Sequence, residues 1–398
     1  MNVAQLVPGP RVLSLYEGFF SGGARILHTS VVRALDATTN QRHAVLSLTD
    51  RAEREYTPQP LAADTSYRRL TAAGIPVQAL DRTSHDPVDA GQLAALRQAV
   101  AHADVIVSLK EQPLAALRAV GTAGKPLITC LHRSDPEHQG SALADLVGLY
   151  DDGLLTAAIC CAASTQRAYH EATGIPLDRL PVIPNGVDLY RFRPVADQRE
   201  RVRRELGADT SAPVVVLAAR FDEMKNVPLF VRSAREFVAR YPEAHLVMCG
   251  AGMSRDNPHL VALLDAEFGG WAGRRTQVHP LGIQAAMAPI YNAADLVILT
   301  SSYGEAAPLS LLEGMACGAV PVTTDVGDAA TIVGDPRLVT AAEPAAVSEA
   351  WAAAFEQREE HAERILRHRQ RLSDQRCFDA YAGLIARSVD VEAASSAA

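Results

Sequence analysis

The sequence predicts an α/β chain of two doubly wound, Rossmann-like parallel-sheet domains facing a cleft. Three observations carry that reading. Short apolar runs alternate with longer segments of helical period, the runs are apolar throughout instead of alternating, and the cycle restarts halfway along the chain. Parallel strands covered by helices on both faces have this pattern. The length of 398 residues agrees, since a domain averages about 150.

In the first half, strands are expected at Val12–Leu15, Ala44–Leu48, Val77–Leu80, Val105–Leu109, Leu127–Leu131, Ile159–Ala162 and Val182–Ile183. Helices are expected at Ala24–Leu35, Ala90–Ala101 and Ser164–Thr173, the last with Ser164 as N-cap and Gly174 as its stop. Turn residues from Ile183-Pro184-Asn185-Gly186 through Pro194 mark the junction. Second-half strands follow at Val214–Ala218, His245–Cys249, Gln277–His279, Leu296–Thr300 and Val320–Thr323. Phe378, Tyr381, Leu384 and Ile385 give Ser373–Arg387 the spacing of a packing helix. The domains predicted are 1–188 and 189–372, with a closing helix and tail in 373–398.

Composition narrows the function. Hydrophobic residues make up 48% and charged residues 21%, as in an ordinary globular protein, which excludes wholesale disorder. A net charge of -8 argues against a nucleic-acid-coating protein, and 5% aromatics leave little for broad stacking surfaces. The six cysteines lack zinc spacing and sit in apolar runs, so they read as core residues of a reducing compartment. Met1–Pro10 lacks the features of a signal peptide. Thr276–Ala294 has no charged residue, yet polar and proline interruptions exclude a bilayer helix. A cytoplasmic location is expected, with no transmembrane segment; peripheral membrane contact and oligomeric state stay open. The charged runs Gln198–Glu205 and Arg364–Arg371 read as solvated helix faces.

In a doubly wound sheet, ligands bind beyond the carboxyl ends of the strands. The first strand runs into Leu15-Tyr16-Glu17-Gly18-Phe19-Phe20-Ser21-Gly22-Gly23, where glycines let backbone N–H groups approach a ligand. Without a G-x-G-x-x-G fingerprint, a nicotinamide reading fails. His132 and Asp135 follow the fifth strand, suited to hydroxyl recognition with Asp135 behind the imidazole. Arg220 and Lys225 flank one strand-to-helix loop and can grip a diphosphate. Pro308 fits the first turn of a helix whose free N–H groups face the same cleft. Glu305 precedes that helix and Glu313 lies inside it, so the two accept hydrogen bonds from different parts of one polyhydroxylated ligand.

The stretch G-E-x-x-P-L-x-x-L-E-x-M-A-x-G, with Glu305 and Glu313 spaced E-x7-E, resembles the signature of family-4 glycosyltransferases of the GT-B fold. Gly22-Gly23, His132, Pro184–Asp188, Arg220, Lys225, Gly250-Ala251-Gly252 and Tyr291–Asp295 occur in the family's order, so the resemblance spans residues 11–390. It implies an N-terminal acceptor domain, a C-terminal nucleotide-sugar domain and a last helix packing back toward the first. It further implies a retaining, metal-independent hexosyl transfer from a nucleotide-diphosphate sugar, a UDP-sugar by expectation. No cofactor is required beyond that co-substrate. Catalysis would fall to Glu305, His132, Arg220 and Lys225. The donor would be held by Gly22, Gly23, Arg220, Lys225, Gly304, Glu305, Pro308, Leu309 and Glu313, and the acceptor by His132 and Asp135. The loops Asp50–Thr65 and His132–Gln139 would shape the acceptor pocket. A nucleotide-sugar epimerase or a non-catalytic sugar-binding protein are the rival readings.

Two positions depart from the family. Thr331 stands where a glutamate is usual, and Arg25 where another glutamate often follows the glycine pair. Arg25 is expected as a solvated first-turn arginine, the alternative being a partner for an anionic acceptor.

Overall fold

The computed structural model describes residues 9–20, 22–54, 57–83, 86–269 and 277–396. Ser21, Thr276, residues 1–8 of the N-terminal segment and residues 55–56 of the Asp50–Thr65 loop lie outside them. The chain divides into two compact units. One holds the residues up to Glu53, Pro58–Asn185 and the chain from Gln375; the other holds Gly186–Asp374 together with Arg54 and Thr57.

Unit 1 begins with β1 (Arg11–Tyr16), α1 (Gly23–Thr38) and β2 (Arg42–Ser47). Two short strands, β3 (Arg51–Arg54) and β4 (Thr57–Pro60), pair with each other inside the segment expected to be loop. Then come α2 (Thr65–Ala72), β5 (Val77–Ala79), α3 (Ala90–His102), β6 (Val105–Leu109) and α4 (Leu114–Val120). The unit continues through β7 (Leu127–Leu131), α5 (Ser141–Asp151), β8 (Leu155–Cys160) and α6 (Ala163–Thr173). Six strands pair in parallel in the order β5-β2-β1-β6-β7-β8. The order reverses between β1 and β6, which opens a crevice at their carboxyl ends.

Unit 2 repeats the plan. It contains α7 (Ala196–Leu206), β9 (Val214–Ala218), α8 (Val227–Arg240), β10 (His245–Cys249), α9 (Pro258–Phe268) and β11 (Val278–Gly282). Next follow α10 (Ala288–Ala293), β12 (Leu296–Leu299), α11 (Leu309–Cys317) and β13 (Val320–Thr324). It closes with α12 (Ala329–Val333), β14 (Val339–Thr340), α13 (Pro344–Glu356) and α14 (Arg358–Arg367). Its strand order, β11-β10-β9-β12-β13-β14, reverses between β9 and β12. The last helix, α15 (Gln375–Ser396), belongs to unit 1. Its Tyr381 ring meets His28 of α1 edge-on at 6.2 Å.

Local details differ from expectation. Strand β8 starts at Leu155, four residues early, and Val182 forms only a bridge to Cys160. Ser164 lies inside the first turn of α6, whose N-cap is Ala162. A β-region φ/ψ at Ala162 lets the chain enter the helix without a side-chain cap. All six cysteines are buried free thiols. Among the described residues no helix is long and apolar enough to cross a membrane.

The charged runs are not simply solvated. In α7, Arg203 is 4% exposed and donates to Asp295 Oδ2 at 3.1 Å and to the carbonyl of Ala293 at 3.0 Å. Arg199 reaches Asp295 Oδ1 at 2.6 Å, and the Val214 N–H completes the set at 2.8 Å. Arg369, in the second run, donates to the carbonyls of Ala316, Leu189 and Phe192. These arginines are recruited because carbonyls at helix and strand ends need donors when they are buried. Removing the carboxylate by Asp295→Ala leaves the buried Arg203 charge without its counter-ion, so unfolding in urea should show a loss of about 3–5 kcal/mol. A loss below about 0.5 kcal/mol would mean that the pair does not hold α7 on the sheet.

Candidate functional site

The densest group of predicted residues lies in unit 2, at the reversal between β9 and β12. After β9 the chain passes Arg220 and turns through Asp222, whose Oδ1 accepts the Lys225 N–H at 3.0 Å. Arg220 pairs with Asp222 Oδ2 at 2.8 Å. Asn226 then adopts a left-handed φ of 47° and caps α8, its Oδ1 accepting the Leu229 N–H at 3.2 Å. The Lys225 carbonyl accepts from Thr300 Oγ1 at 3.0 Å. Pinned at both backbone groups, Lys225 donates from Nζ to Glu305 Oε1.

Glu305 is 6% exposed, and the same oxygen accepts from Ser301 Oγ at 2.6 Å. Two donors on one carboxylate oxygen fix it in place as a hydrogen-bond acceptor, with the Lys225 ammonium group beside it. Gly304, at φ 72°, lets the loop turn before it. Gly327 passes so close beneath that a Cβ there would sit 2.0 Å from the Glu305 carbonyl oxygen, so no larger residue fits. Asp328 donates its N–H to Ala306 at 2.9 Å, packing the divergent loop against the Glu305 segment. Thr331 itself is exposed on α12.

Pro308 is the N-cap of α11 and stands one residue ahead of the expected first turn, because its ψ of 116° is extended. The first N–H groups of α11 have no carbonyl ahead of them in the helix. Glu313 lies in the interior of α11, 8% exposed, and the buried Tyr291 phenol hydrogen-bonds to it. Its carboxylate pushes the phenol's pKa further above the ordinary value, burial being the larger cause.

In unit 1, the predicted residues gather at the reversal between β1 and β6 and beside β7. Gly22 precedes α1 at a φ of 172°, extended backbone open to any residue, and Gly23 starts the helix. Arg25 corrects the expectation of a solvated side chain. It is 2% exposed, donates to the Phe20 carbonyl and lies 3.6 Å over the Phe20 ring. The apolar Phe19-Phe20 turn folds over the helix start and encloses it. His132 follows β7, and burial, with the charges of Lys110 and Arg25, pushes its pKa down to about 3. The imidazole is therefore neutral near pH 7, and its Nε2 has no hydrogen-bond partner among the described residues. Asp135 pairs with Arg133, Nε to Oδ1 at 2.7 Å, and lies 3.2 Å from His138 Nδ1.

Sequence reasoning missed the roles of Ser301, Asp222, Asn226 and Gly327. Ser301 and Asn226 were visible in the motifs as small polar residues, but their partners lie on other loops.

Two doubly wound sheets of this order, each with its chemistry at the reversal, place the chain in the GT-B class of folds. Residues 21–191 match the family model described as Glycosyltransferase Family 4, and residues 198–371 match Glycosyl transferases group 1. The chain belongs to glycosyltransferase family 4. It is 33% identical over 179 residues to a D-inositol 3-phosphate glycosyltransferase of Nocardia farcinica, covering 44% of this chain and 38% of the relative. To a D-inositol 3-phosphate glycosyltransferase 2 of Catenulispora acidiphila it is 30% identical over 243 residues, 54% and 53% of the two chains. The alignments thus span about half or less of these relatives' lengths. Anabaena HepE in complex with UDP and glucose superposes with a TM-score of 0.78 at 21% identity, over 96% of this chain and all (100%) of that one. Sucrose-phosphate synthase of Thermosynechococcus elongatus gives 0.70 at 15%, over 95% and 99%.

Beneath His132, the imidazoles of His28 and His43 are buried, and burial pushes their pKa values down to about 3 and about 4. The unfolded chain binds their protons near pH 6.5 while the folded chain refuses them, so stability falls as pH drops below that value. Each histidine should contribute about 1.4 kcal/mol per pH unit to that fall. Urea unfolding between about pH 7 and 5 should show the slope, and His28→Gln should reduce it by one proton's worth. An unchanged slope would refute the neutral, buried assignment.

Proposed function

We propose that this protein transfers a hexosyl residue from a nucleoside-diphosphate sugar, a UDP-sugar, to an acceptor hydroxyl with retention of configuration and without a metal. Unit 2 binds the donor and unit 1 the acceptor. The observation that carries the reading is the Lys225–Glu305–Ser301 constellation at the β9–β12 reversal, beside Arg220 and the start of α11. Cations and helix N–H groups at one crevice suit a diphosphate, and a carboxylate among them suits sugar hydroxyls.

In the reaction the bond from the anomeric carbon to the diphosphate breaks and the acceptor oxygen takes its place on the same face. The acceptor proton passes to the departing diphosphate. Arg220, Lys225 and the α11 N–H groups stabilise the charge that grows on that leaving group, and electrostatic stabilisation of this kind usually lowers the barrier more than any other effect. With Oε1 engaged by Lys225 and Ser301, Glu305 orients the sugar as a hydrogen-bond acceptor, and no covalent nucleophile is assigned. Glu313 accepts from the ribose hydroxyls. His132, being neutral, exchanges hydrogen bonds with a hydroxyl instead of repelling a cation or attracting a phosphate.

The HepE complexes with UDP and UDP-glucose support this choice of donor, and the relatives' name, D-inositol 3-phosphate glycosyltransferase, supports glycosyl transfer. Lys225→Ala and Glu305→Gln should each lower acceptor-dependent release of UDP on the order of 100-fold or more, with unchanged circular dichroism. Wild-type turnover in either variant would overturn the site. Sugar inversion without any acceptor would indicate an epimerase, and donor binding without UDP release a non-catalytic binder.

A further inference from the structure

The loop from β9 to α8 carries a carboxylate, Asp222, that is bonded to both Arg220 and Lys225. The backbone there is held from the neighbouring loop. The Ala219 N–H donates to the Cys249 carbonyl at 2.9 Å, and the Phe221 N–H to the Ala251 carbonyl at 2.8 Å. Gly250 permits this approach, because a Cβ there would sit 2.0 Å from the Ala219 carbonyl oxygen. Arg220 is thus fixed along the chain on either side, and the Asp222 N–H closes the turn on its carbonyl at 3.1 Å. The two carboxylate oxygens of Asp222 then divide their work. Oδ1 accepts the Lys225 N–H at 3.0 Å, and Oδ2 takes the Arg220 guanidinium at 2.8 Å.

Shaping the loop needs only the first of these contacts, and a neutral amide oxygen would accept the Lys225 N–H as well. The charge on Asp222 acts on Arg220, just before the positive end of α8. Both side chains are 21% exposed, so an anion from solvent can compete for the guanidinium. Glu305 is held differently: it is 7% exposed, and Ser301 also binds the oxygen that Lys225 uses. Of the two carboxylates, Asp222 is therefore the one that yields. Transfer itself changes the charge at this site. A sugar ester of a diphosphate becomes a free diphosphate, which carries more negative charge. Cations alone would hold that product harder than the substrate, and such binding slows turnover instead of aiding it. A carboxylate beside Arg220 offsets part of the attraction, most strongly for the anion of higher charge.

We propose that Asp222 is a positioning residue that limits the grip of Arg220 on the free nucleoside diphosphate and so governs product release. The assignment rests on the transferase reading above, because it concerns that reaction's leaving group. Asp222 acts through Arg220 and takes no part in bond making.

Calorimetric titration of the full chain with UDP and with UDP-glucose tests this in Asp222→Asn, which keeps an oxygen for the Lys225 N–H and removes the charge. The variant should bind UDP about fivefold more tightly than wild type, the worth of one partly exposed ion pair. UDP-glucose should gain less, and in turnover KM and kcat should fall together while added UDP inhibits more strongly. Asp222→Ser, with a hydroxyl as acceptor, should do the same. Glu223→Gln makes the same charge change at an exposed position on the same loop and should shift UDP affinity by less than about twofold. Unchanged or weaker UDP binding in both Asp222 variants, equal gains for UDP and UDP-glucose, or an equal gain in Glu223→Gln overturns it. Arg220→Met keeps the two readings apart. If that variant weakens UDP binding while the Asp222 variants leave it unaltered, the donor site stands and Asp222 only shapes the loop. If Asp222→Asn tightens UDP binding but no sugar is ever transferred, the transferase is refuted and the role of Asp222 stands. UDP bound by neither wild type nor variant refutes both.

Discussion

The ion pair between Lys225 and Glu305 joins the loop after β9 to the loop after β12, and the candidate donor site is built around it. Those strands are neighbours only because the strand order reverses between them, so the pair exists only in the doubly wound sheet. The surrounding backbone is shaped to keep it: Asn226 is left-handed, Gly304 turns the chain, and Gly327 has no room for a side chain. A half-buried lysine and a buried glutamate would each be costly alone, and together they form a preset pair of charges. Arg220 is likewise matched to Asp222. In a chain of net charge -8, both cations are stored beside an acidic partner, so an arriving diphosphate competes with carboxylates already in place.

Unit 1 solves a different problem. Its crevice is floored by buried imidazoles kept neutral by desolvation: His28 meets the Tyr16 hydroxyl at 3.0 Å, and His43 meets Gln41 at 3.2 Å. The last helix completes that floor, with Tyr381 donating to Cys130 Sγ at 3.5 Å and the Ala382 carbonyl accepting from Gln41 at 3.3 Å. A C-terminal segment therefore closes the N-terminal unit, as the spacing of its apolar residues allowed but did not specify.

Much of the fold was legible because parallel strands buried on both faces must be apolar throughout. Val105–Leu109, Leu127–Leu131, Val214–Ala218 and His245–Cys249 match their strands residue for residue. Less of the site was legible. The Glu305 and Glu313 spacing and the Arg220–Lys225 loop stood out as polar interruptions of an apolar pattern, whereas Asn226 was a small polar residue whose partner lies on another loop. The β3–β4 pair was missed because two four-residue strands leave no clear period. The arginine runs misled for the opposite reason: Arg203 and Arg369 have the local pattern of solvated helices, and only distant carbonyls and Asp295 make them internal.

The sequence by itself determined where strands and helices begin, that the cycle runs twice, and which loops carry unusual polar residues. These follow from local periodicity and from the stereochemistry of glycine and proline. Tertiary structure alone decided partnership at long range: Lys225 with Glu305, and Arg203 with Asp295. Lys225 and Glu305 are 80 residues apart, and Arg203 and Asp295 are 92. Choosing such a partner depends on strand order and register, which no window along the chain contains.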